Sequence, residues 1–167
     1  MLKLIKSNAP ALKQQSALWS FESPENLEQA KQLEIDMVKL MIESGGIGLA
    51  GNQVGLLNRV FAIHLKGRVP FCMFNPSLLA YSEDYIDGPE GCLSFPDLFF
   101  PVKRYSAITA EYFDRSGNKC IIELKDTDAR CFQHELDHLN GVCFTEKISP
   151  LKLAFAIKKQ KKRKSNG

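Results

Sequence analysis

Residues 133–138 read Gln-His-Glu-Leu-Asp-His and place two histidines four positions apart. In an α-helix such side chains share one face at neighbouring heights, so both imidazoles can bind one metal ion. Glu135 lies between them and can reach a water on that ion. We predict that Asp126 or Thr127 caps this helix and that Gly141 ends it. Its predicted core-facing residues are Ala129, Phe132, Leu136 and Leu139.

A catalytic metal site needs a third protein ligand and one position left for water. Downstream of His138 there is no further histidine, and Glu146 is the only acidic residue. Upstream, the segment from Glu90 to Ser94 places Cys92 in a glycine-containing turn, from which a thiolate could reach the helix. Two imidazoles and one thiolate suit zinc, iron(II), nickel or cobalt. Residue types alone leave both a cysteine and a carboxylate open as the third ligand.

The remaining sequence predicts helices near both ends and strands between them. Ser23-Pro24 is typical of a helix start, and the following apolar spacing predicts an amphipathic helix that ends near Gly45-Gly46. Ser149-Pro150 repeats that signal for a C-terminal helix. Short segments rich in β-branched and aromatic residues predict strands, with a hairpin turn at 114–118. These segments are 59–65, 70–74, 105–113 and 119–125. We therefore predict one α+β domain spanning 1–167, with mostly antiparallel strands around a central metal-binding helix.

Length and composition are typical of a globular chain: 167 residues, of which 44% are hydrophobic and 25% charged. No apolar run approaches the roughly 20 residues that a membrane helix needs, and we predict no signal peptide. The five cysteines lack the dense spacing of a secreted disulfide scaffold, so we expect reduced thiols. Together these features predict a cytoplasmic protein with no membrane contact.

The positive net charge of +3 is concentrated at the C-terminus. Residues 151–167 contain seven lysine and arginine residues and no acidic one. A basic tail at about 158–167 either binds a polyanion or is a solvated end.

Three segments, in this order, resemble the signatures of the peptide deformylase family. They are Gly46-Ile-Gly-Leu-Ala-Gly-Asn-Gln53, Glu90-Gly-Cys-Leu-Ser94 and the stretch from Gln133 to Gly141. The resemblance extends from the N-terminus to roughly Lys158. It implies that Cys92 is the third metal ligand beside His134 and His138. It also implies that iron(II) is the native ion, with zinc a common occupant.

The reaction implied by the resemblance is removal of the formyl group from the N-terminal formylmethionine of newly made polypeptides. Water on the metal ion would be the nucleophile, and Glu135 the general base and acid. The side-chain amide of Gln53 and the backbone N–H of Leu93 would stabilise the oxyanion. The predicted substrate contacts are Ile47, Cys131 and the ring face of His134 for the methionine side chain, and Gly48 and Gly91 for the peptide backbone. Cys131 could equally serve helix packing.

Two other interpretations remain open at this point. The first is a zincin-type peptidase that uses the same helix with a carboxylate ligand. The second is a binding module whose structural metal is closed by a fourth ligand, Cys131 or Cys143. Arg104 can either pair with Glu90 and fix the cysteine loop or lie on the surface. We predict a monomer, and the basic tail supports the further hypothesis of docking on ribosomal RNA, a role that the family resemblance makes natural.

Overall fold

The computed structural model describes residues 2–165, except for the side chains of 161–165, and confirms the predicted α+β class. The helices are α1 (Pro24–Glu43), α2 (Asp126–Leu139) and α3 (Pro150–Ser165). The strands are β1 (Gly48–Ala50), β2 (Val60–Ile63), β3 (Phe71–Tyr81), β4 (Tyr85–Cys92), β5 (Phe95–Tyr105), β6 (Ala107–Phe113) and β7 (Lys119–Lys125). Short 3₁₀ helices lie at Pro10–Lys13, Gly51–Val54 and Phe144–Lys147. In the described residues, every helix is too short or too polar to cross a bilayer.

Five strands form one antiparallel sheet in the order β1-β2-β3-β6-β7, with a helix on each face. Strand β2 is buried along its whole length because both of its faces are covered. Val60 and Ala62 pack in the cluster of α1, whereas Phe61 and Ile63 pack in the cluster of α2. The predicted turn at 114–118 joins β6 to β7, with Gly117 at a φ of +79°. The core is therefore two apolar layers divided by the sheet.

Strands β4 and β5 form a separate two-stranded antiparallel sheet, the β4–β5 hairpin. Such a sheet is marginally stable alone and depends on neighbouring elements. Its apolar face packs on Phe144 and on α3, in a cluster that includes Leu98 and Val102. The sequence analysis did not predict this hairpin, since the prolines of the segment are unfavourable in most strands. These prolines are Pro89, Pro96 and Pro101.

Two of the three helix starts follow the sequence prediction. The Ser23 hydroxyl accepts a hydrogen bond from the Asn26 N–H at 3.1 Å, and Pro150 opens α3. The predicted cap of α2 is wrong, because Lys125 occupies the N-cap position, and Asp126, the first residue of α2, has a left-handed φ of +52°. The reason is that β7 runs directly into α2, so the pairing of β7 with β6 sets the point of helix entry. Of the predicted basic tail, the side chains from 161 onward and all of 166–167 lie outside the described residues.

Candidate active site

Cys92, His134 and His138 converge where the end of β4 meets α2. One potential ligand atom from each residue lies within 4.8 Å of the others. Cys92 Sγ is 3.2 Å from His138 Nε2, and the two imidazole centroids are 5.0 Å apart. A thiol and two imidazoles form a donor set that suits a transition metal and leaves a coordination position open. The structure thus brings together all three residues that the sequence analysis singled out as ligands.

Glu90 lies behind this cluster, on β4, and its carboxylate contacts Arg130 and His134 on α2. Its carboxylate accepts hydrogen bonds from Arg104 at 2.7 and 2.9 Å and from Arg130 at 3.0 Å. Burial alone would raise the pKa of Glu90, but the hydrogen bonds of Arg104 and His134 lower it to about 2. Arg104 also binds Asp137 at 2.5 Å and is buried, so of the two alternatives left open for Arg104 the structure shows the pairing with Glu90 and not a surface position.

The two histidines have opposite electrostatic environments. Nδ1 of His134 is 3.0 Å from Oε2 of Glu90, which leaves Nε2 to face the cluster. Burial alone would lower the pKa of His134, but hydrogen bonds to Cys92 and Glu90 raise it to about 10. Burial lowers the pKa of His138 well below its usual value, which favours the neutral form that ligates metals.

Glu135 points from α2 towards β1 in a space that only a glycine leaves open. A β carbon added at Gly48 would lie 2.1 Å from its Oε1. Its Oε2 is buried and finds no hydrogen-bond partner among the residues that the structure describes. Burial raises the pKa of Glu135 to about 7. A carboxyl group with a pKa near neutrality can both accept and return a proton.

Gln53 lies in the 3₁₀ helix after β1 and is oriented by hydrogen bonds at both ends of its amide. Oε1 accepts from the Ala50 N–H at 2.8 Å, whereas Nε2 donates to Ser94 Oγ at 3.0 Å and to Cys92 Sγ at 3.3 Å. The amide N–H groups are therefore directed towards the cysteine cluster. Leu93, which follows the cysteine, lines the same cavity as Gln53.

The cluster opens into a cavity of about 780 Å³, within the size range of small-ligand sites. All five residues predicted to contact the substrate line it, namely Ile47, Gly48, Gly91, Cys131 and His134. Ile47 is half-exposed at the wall, and its carbonyl oxygen is 3.4 Å from Cys131 Sγ, which donates to it. Cys131 also packs in the core of α2, so it serves both the cavity wall and the helix.

Some residues at the site were missed by the sequence analysis. Arg130 lies four positions before His134, a spacing that places it on the ligand face of α2 and that could have revealed it. Asn52 is fully buried, and its Nδ2 donates to the carbonyl oxygen of His138. Asn52 belongs to the Gly46–Gln53 segment, but its contact with α2 could not be predicted because the partner lies 86 residues away.

Glu146 and Cys143, which the sequence analysis also considered as metal ligands, lie outside this cluster. Glu146 binds Lys13 at 2.5 Å and accepts from the Cys143 N–H at 2.7 Å. Cys143 Sγ faces the carbonyl oxygen of Leu12 at 3.9 Å. Among the residues described by the structure, the cluster has three members and includes neither of these two.

Comparison with known proteins agrees with this geometry. The family model of polypeptide deformylase matches residues 1–154. The peptide deformylase of Agrobacterium fabrum is 39% identical over 154 residues, which cover 90% of this chain and 88% of that protein. The crystal structure of peptide deformylase from Thermotoga maritima superposes with a TM-score of 0.83 at 33% identity, covering 90% of this chain and 99% of that one.

A phage protein extends the comparison to a liganded structure. The PDF from the Vibrio parahaemolyticus bacteriophage VP16T, crystallised in complex with actinonin, has a TM-score of 0.78 at 36% identity. The match covers 85% of this chain and 99% of the phage chain. The chain therefore belongs to the polypeptide deformylase family and is a hydrolase.

Proposed function

We propose that this protein removes the formyl group from the N-terminal formylmethionine of newly made polypeptides. The observation that carries the proposal is a three-residue ligand cluster, of which Cys92 and His134 line the cavity, beside the buried Glu135 carboxyl group, whose pKa is raised to about 7. Family membership supports the same reaction.

Cys92, His134 and His138 would hold a divalent metal ion. Their fit to an ion is supported by the convergence of three donor atoms and by the Glu90 carboxylate, which fixes the ring of His134 from behind. Iron(II) is the proposed native ion, and zinc, nickel and cobalt also suit this donor set. Bound there, an ion would polarise the formyl carbonyl group and lower the pKa of a coordinated water.

Glu135 would move the protons of the reaction. As the water attacks the formyl carbon, Glu135 takes one proton and later gives it to the amine nitrogen when the C–N bond breaks. The raised pKa of Glu135 favours both halves of this transfer near neutral pH. Its unpartnered Oε2 keeps one oxygen available for the proton.

Gln53 and Leu93 would stabilise the negative charge that develops on the formyl oxygen. Hydrogen bonds to Ala50 and Ser94 already hold the Gln53 amide in one orientation, so little reorganisation is needed when charge develops. The Leu93 backbone N–H would be the second donor, adjacent to Cys92 in the chain.

The cavity walls would bind the first residues of the substrate. The methionine side chain would contact Ile47, Cys131 and the ring face of His134, which line the cavity. The peptide backbone would pair with Gly48 and Gly91, where the absence of a side chain permits close approach.

The physiological setting remains a proposal from the sequence. We propose a cytoplasmic monomer of one domain whose basic tail at about 158–167 binds ribosomal RNA electrostatically. Co-sedimentation with ribosomes should then weaken steeply as salt rises and should be lost when 158–167 are deleted. Salt-independent co-sedimentation, or none, would contradict a docking role for the tail.

The proposed reaction is tested by formate release from a formyl-Met-Ala-Ser peptide with anaerobically purified protein. The same preparation is assayed after chelation and after return of iron(II), zinc, nickel or cobalt. We expect one formate per free amine, loss of activity on chelation and recovery with metal. Cleavage of internal peptide bonds instead would indicate a zincin-type peptidase. A metal-loaded protein that neither releases formate nor cleaves peptide bonds would indicate a structural metal.

A further inference from the structure

Helix α2 and strand β4 touch at three successive points. His138 Nε2 lies 3.2 Å from Cys92 Sγ, and His134 Nδ1 lies 3.0 Å from Glu90 Oε2. One helical turn earlier, Arg130 Nη1 donates to the carbonyl oxygen of Gly88 at 3.2 Å. We call these three contacts the α2–β4 ladder.

The ladder is possible because the two elements advance at nearly equal rates. Its rungs are four residues apart on the helix and two residues apart on the strand. Four helical residues rise about 6.0 Å, whereas two strand residues advance about 6.6 Å. The contacts therefore stay aligned over two steps in a parallel direction, even though the pairing of β4 with β5 shifts register between Glu90 and Cys92. Sliding β4 along α2 would break all three contacts together.

Arg130 makes the most extensive rung. Besides Gly88, its guanidinium donates to the carbonyl oxygens of Val102 at 2.7 Å and Ile86 at 2.9 Å, and to Glu90 at 3.0 Å. Its side chain is only 11% exposed. A β carbon added at Gly88 would lie 3.0 Å from Arg130 Nη2, so the strand and the guanidinium are closely fitted.

We propose that Arg130 is a positioning residue that sets the register of β4 along α2 and so places Cys92 Sγ at the metal. This role rests on the proposed metal site, which Arg130 would affect without being one of its ligands. The β4–β5 hairpin has only two strands, so its position depends on contacts outside its own sheet. A planar guanidinium spreads five N–H donors over a rigid fork and so reaches carbonyl oxygens of both strands and Glu90 at once, whereas an ammonium group has three donors on a single nitrogen.

The test uses cobalt(II) as the probe, because a thiolate bound to cobalt gives a charge-transfer absorption that imidazole ligands do not give. The variants are Arg130→Met, which removes the donors, and Arg130→Lys, which keeps the charge near Glu90 but not the fork. Lys103→Met on β5 is the matched control, since Lys103 is exposed and lies over the Tyr85 ring. Circular dichroism establishes that each variant is folded.

We expect Arg130→Met to weaken the thiolate band and to reduce cobalt affinity roughly 10- to 100-fold, the usual range for residues that support metal ligands. The thiolate band and cobalt affinity of Arg130→Lys should lie between those of Arg130→Met and the wild type. If Arg130→Met does not fold, Arg130→Lys alone is compared with the wild type. Wild-type bands and affinity in folded Arg130 variants would overturn the positioning role and leave the metal site intact. Absence of the thiolate band in the wild type would overturn the proposed site itself, and the inference with it.

Discussion

Helix α2 and the β4–β5 hairpin both contribute to the ligand cluster, but they are built differently. Helix α2 lies on a five-stranded sheet, and its apolar residues belong to a core cluster that includes Phe132 and Leu139, both fully buried. The hairpin belongs to a separate two-stranded sheet and is joined to α2 by polar contacts through Glu90. Hydrophobic packing places α2 on its sheet, whereas the hairpin, which packs its own apolar face on Phe144 and α3, is joined to α2 by a buried charge network.

This difference shows which contacts set the relative positions of the three candidate ligands. Helix geometry places His134 and His138 on one face of α2, and the Glu90 carboxylate then orients the His134 ring. The position of Cys92 relative to them depends on contacts between residues far apart in sequence. We therefore expect changes in α2 to alter chemistry or global stability, and changes around the hairpin to alter metal geometry or local order.

The largest effect should come from Glu135→Gln, which changes the chemistry of α2 with minimal change in shape. The amide cannot take the proton from water, so kcat for formate release should fall by ~10² to 10⁴. Metal content, measured in the same samples, should stay at the wild-type level because Glu135 is outside the ligand cluster. Full activity in a metal-loaded variant would remove Glu135 from the mechanism.

The same contrast explains what the sequence could predict. The caps at Ser23 and Ser149, the helical spacing of α2 and four strand segments are local patterns, and each led to a correct element. Strands β4 and β5 were missed because proline and glycine weaken the local strand signal, while Phe144 and α3 supply the stabilising contacts. The cap of α2 was wrong because strand pairing overrides local capping preference.

The residues of the site likewise fall into those that a local motif predicts and those that depend on contacts distant in sequence. Both histidines and Glu135 follow from a local helical motif, whereas residue types alone left cysteine and carboxylate open as the third ligand, and only the family resemblance singled out Cys92. Arg130 escaped notice because its partners include backbone carbonyls 28 and 42 residues away, which carry no side-chain signature.

A second prediction compares the packing of the two regions by truncating one buried ring in each. Phe132→Ala should lower the free energy of unfolding by about 3–5 kcal/mol, because the ring is fully buried between α2 and the sheet. Phe144→Ala should instead loosen the hairpin, since that ring packs in the hairpin cluster and lies 5.8 Å from the His134 ring.

Urea unfolding and amide hydrogen exchange distinguish these outcomes. In Phe144→Ala, amides of β4 and β5 should exchange faster while those of α2 keep their protection. Equal loss of protection in both regions would show that the hairpin and α2 unfold as one unit.

A third prediction concerns Gln53, which contacts the hairpin through Ser94 and Cys92. Gln53→Ala should lower kcat by roughly 10² to 10³, or about 3 kcal/mol, with a smaller change in KM, since the lost donor acts mainly on developing charge. Gln53→Glu is the informative companion, because it keeps the size but replaces the donor with a negative charge. If KM rises while kcat is unchanged, Gln53 binds the ground-state substrate instead.

The smallest effect tests whether α2 depends on packing rather than on its own ends. Lys125 occupies the N-cap position with extended backbone angles, and its side chain makes no capping hydrogen bond in the described structure. Lys125→Ser supplies a hydroxyl that can accept from an N–H of the first turn, and it removes a positive charge from the positive end of the helix dipole. The free energy of unfolding should rise by about 1 kcal/mol, with metal content and kcat unchanged. Lys125→Ala removes the charge without adding a cap. The urea concentration at the unfolding midpoint should therefore be higher for Lys125→Ser than for Lys125→Ala. Equal midpoints would mean that the strand entry from β7 holds the first turn in a geometry that a cap cannot use.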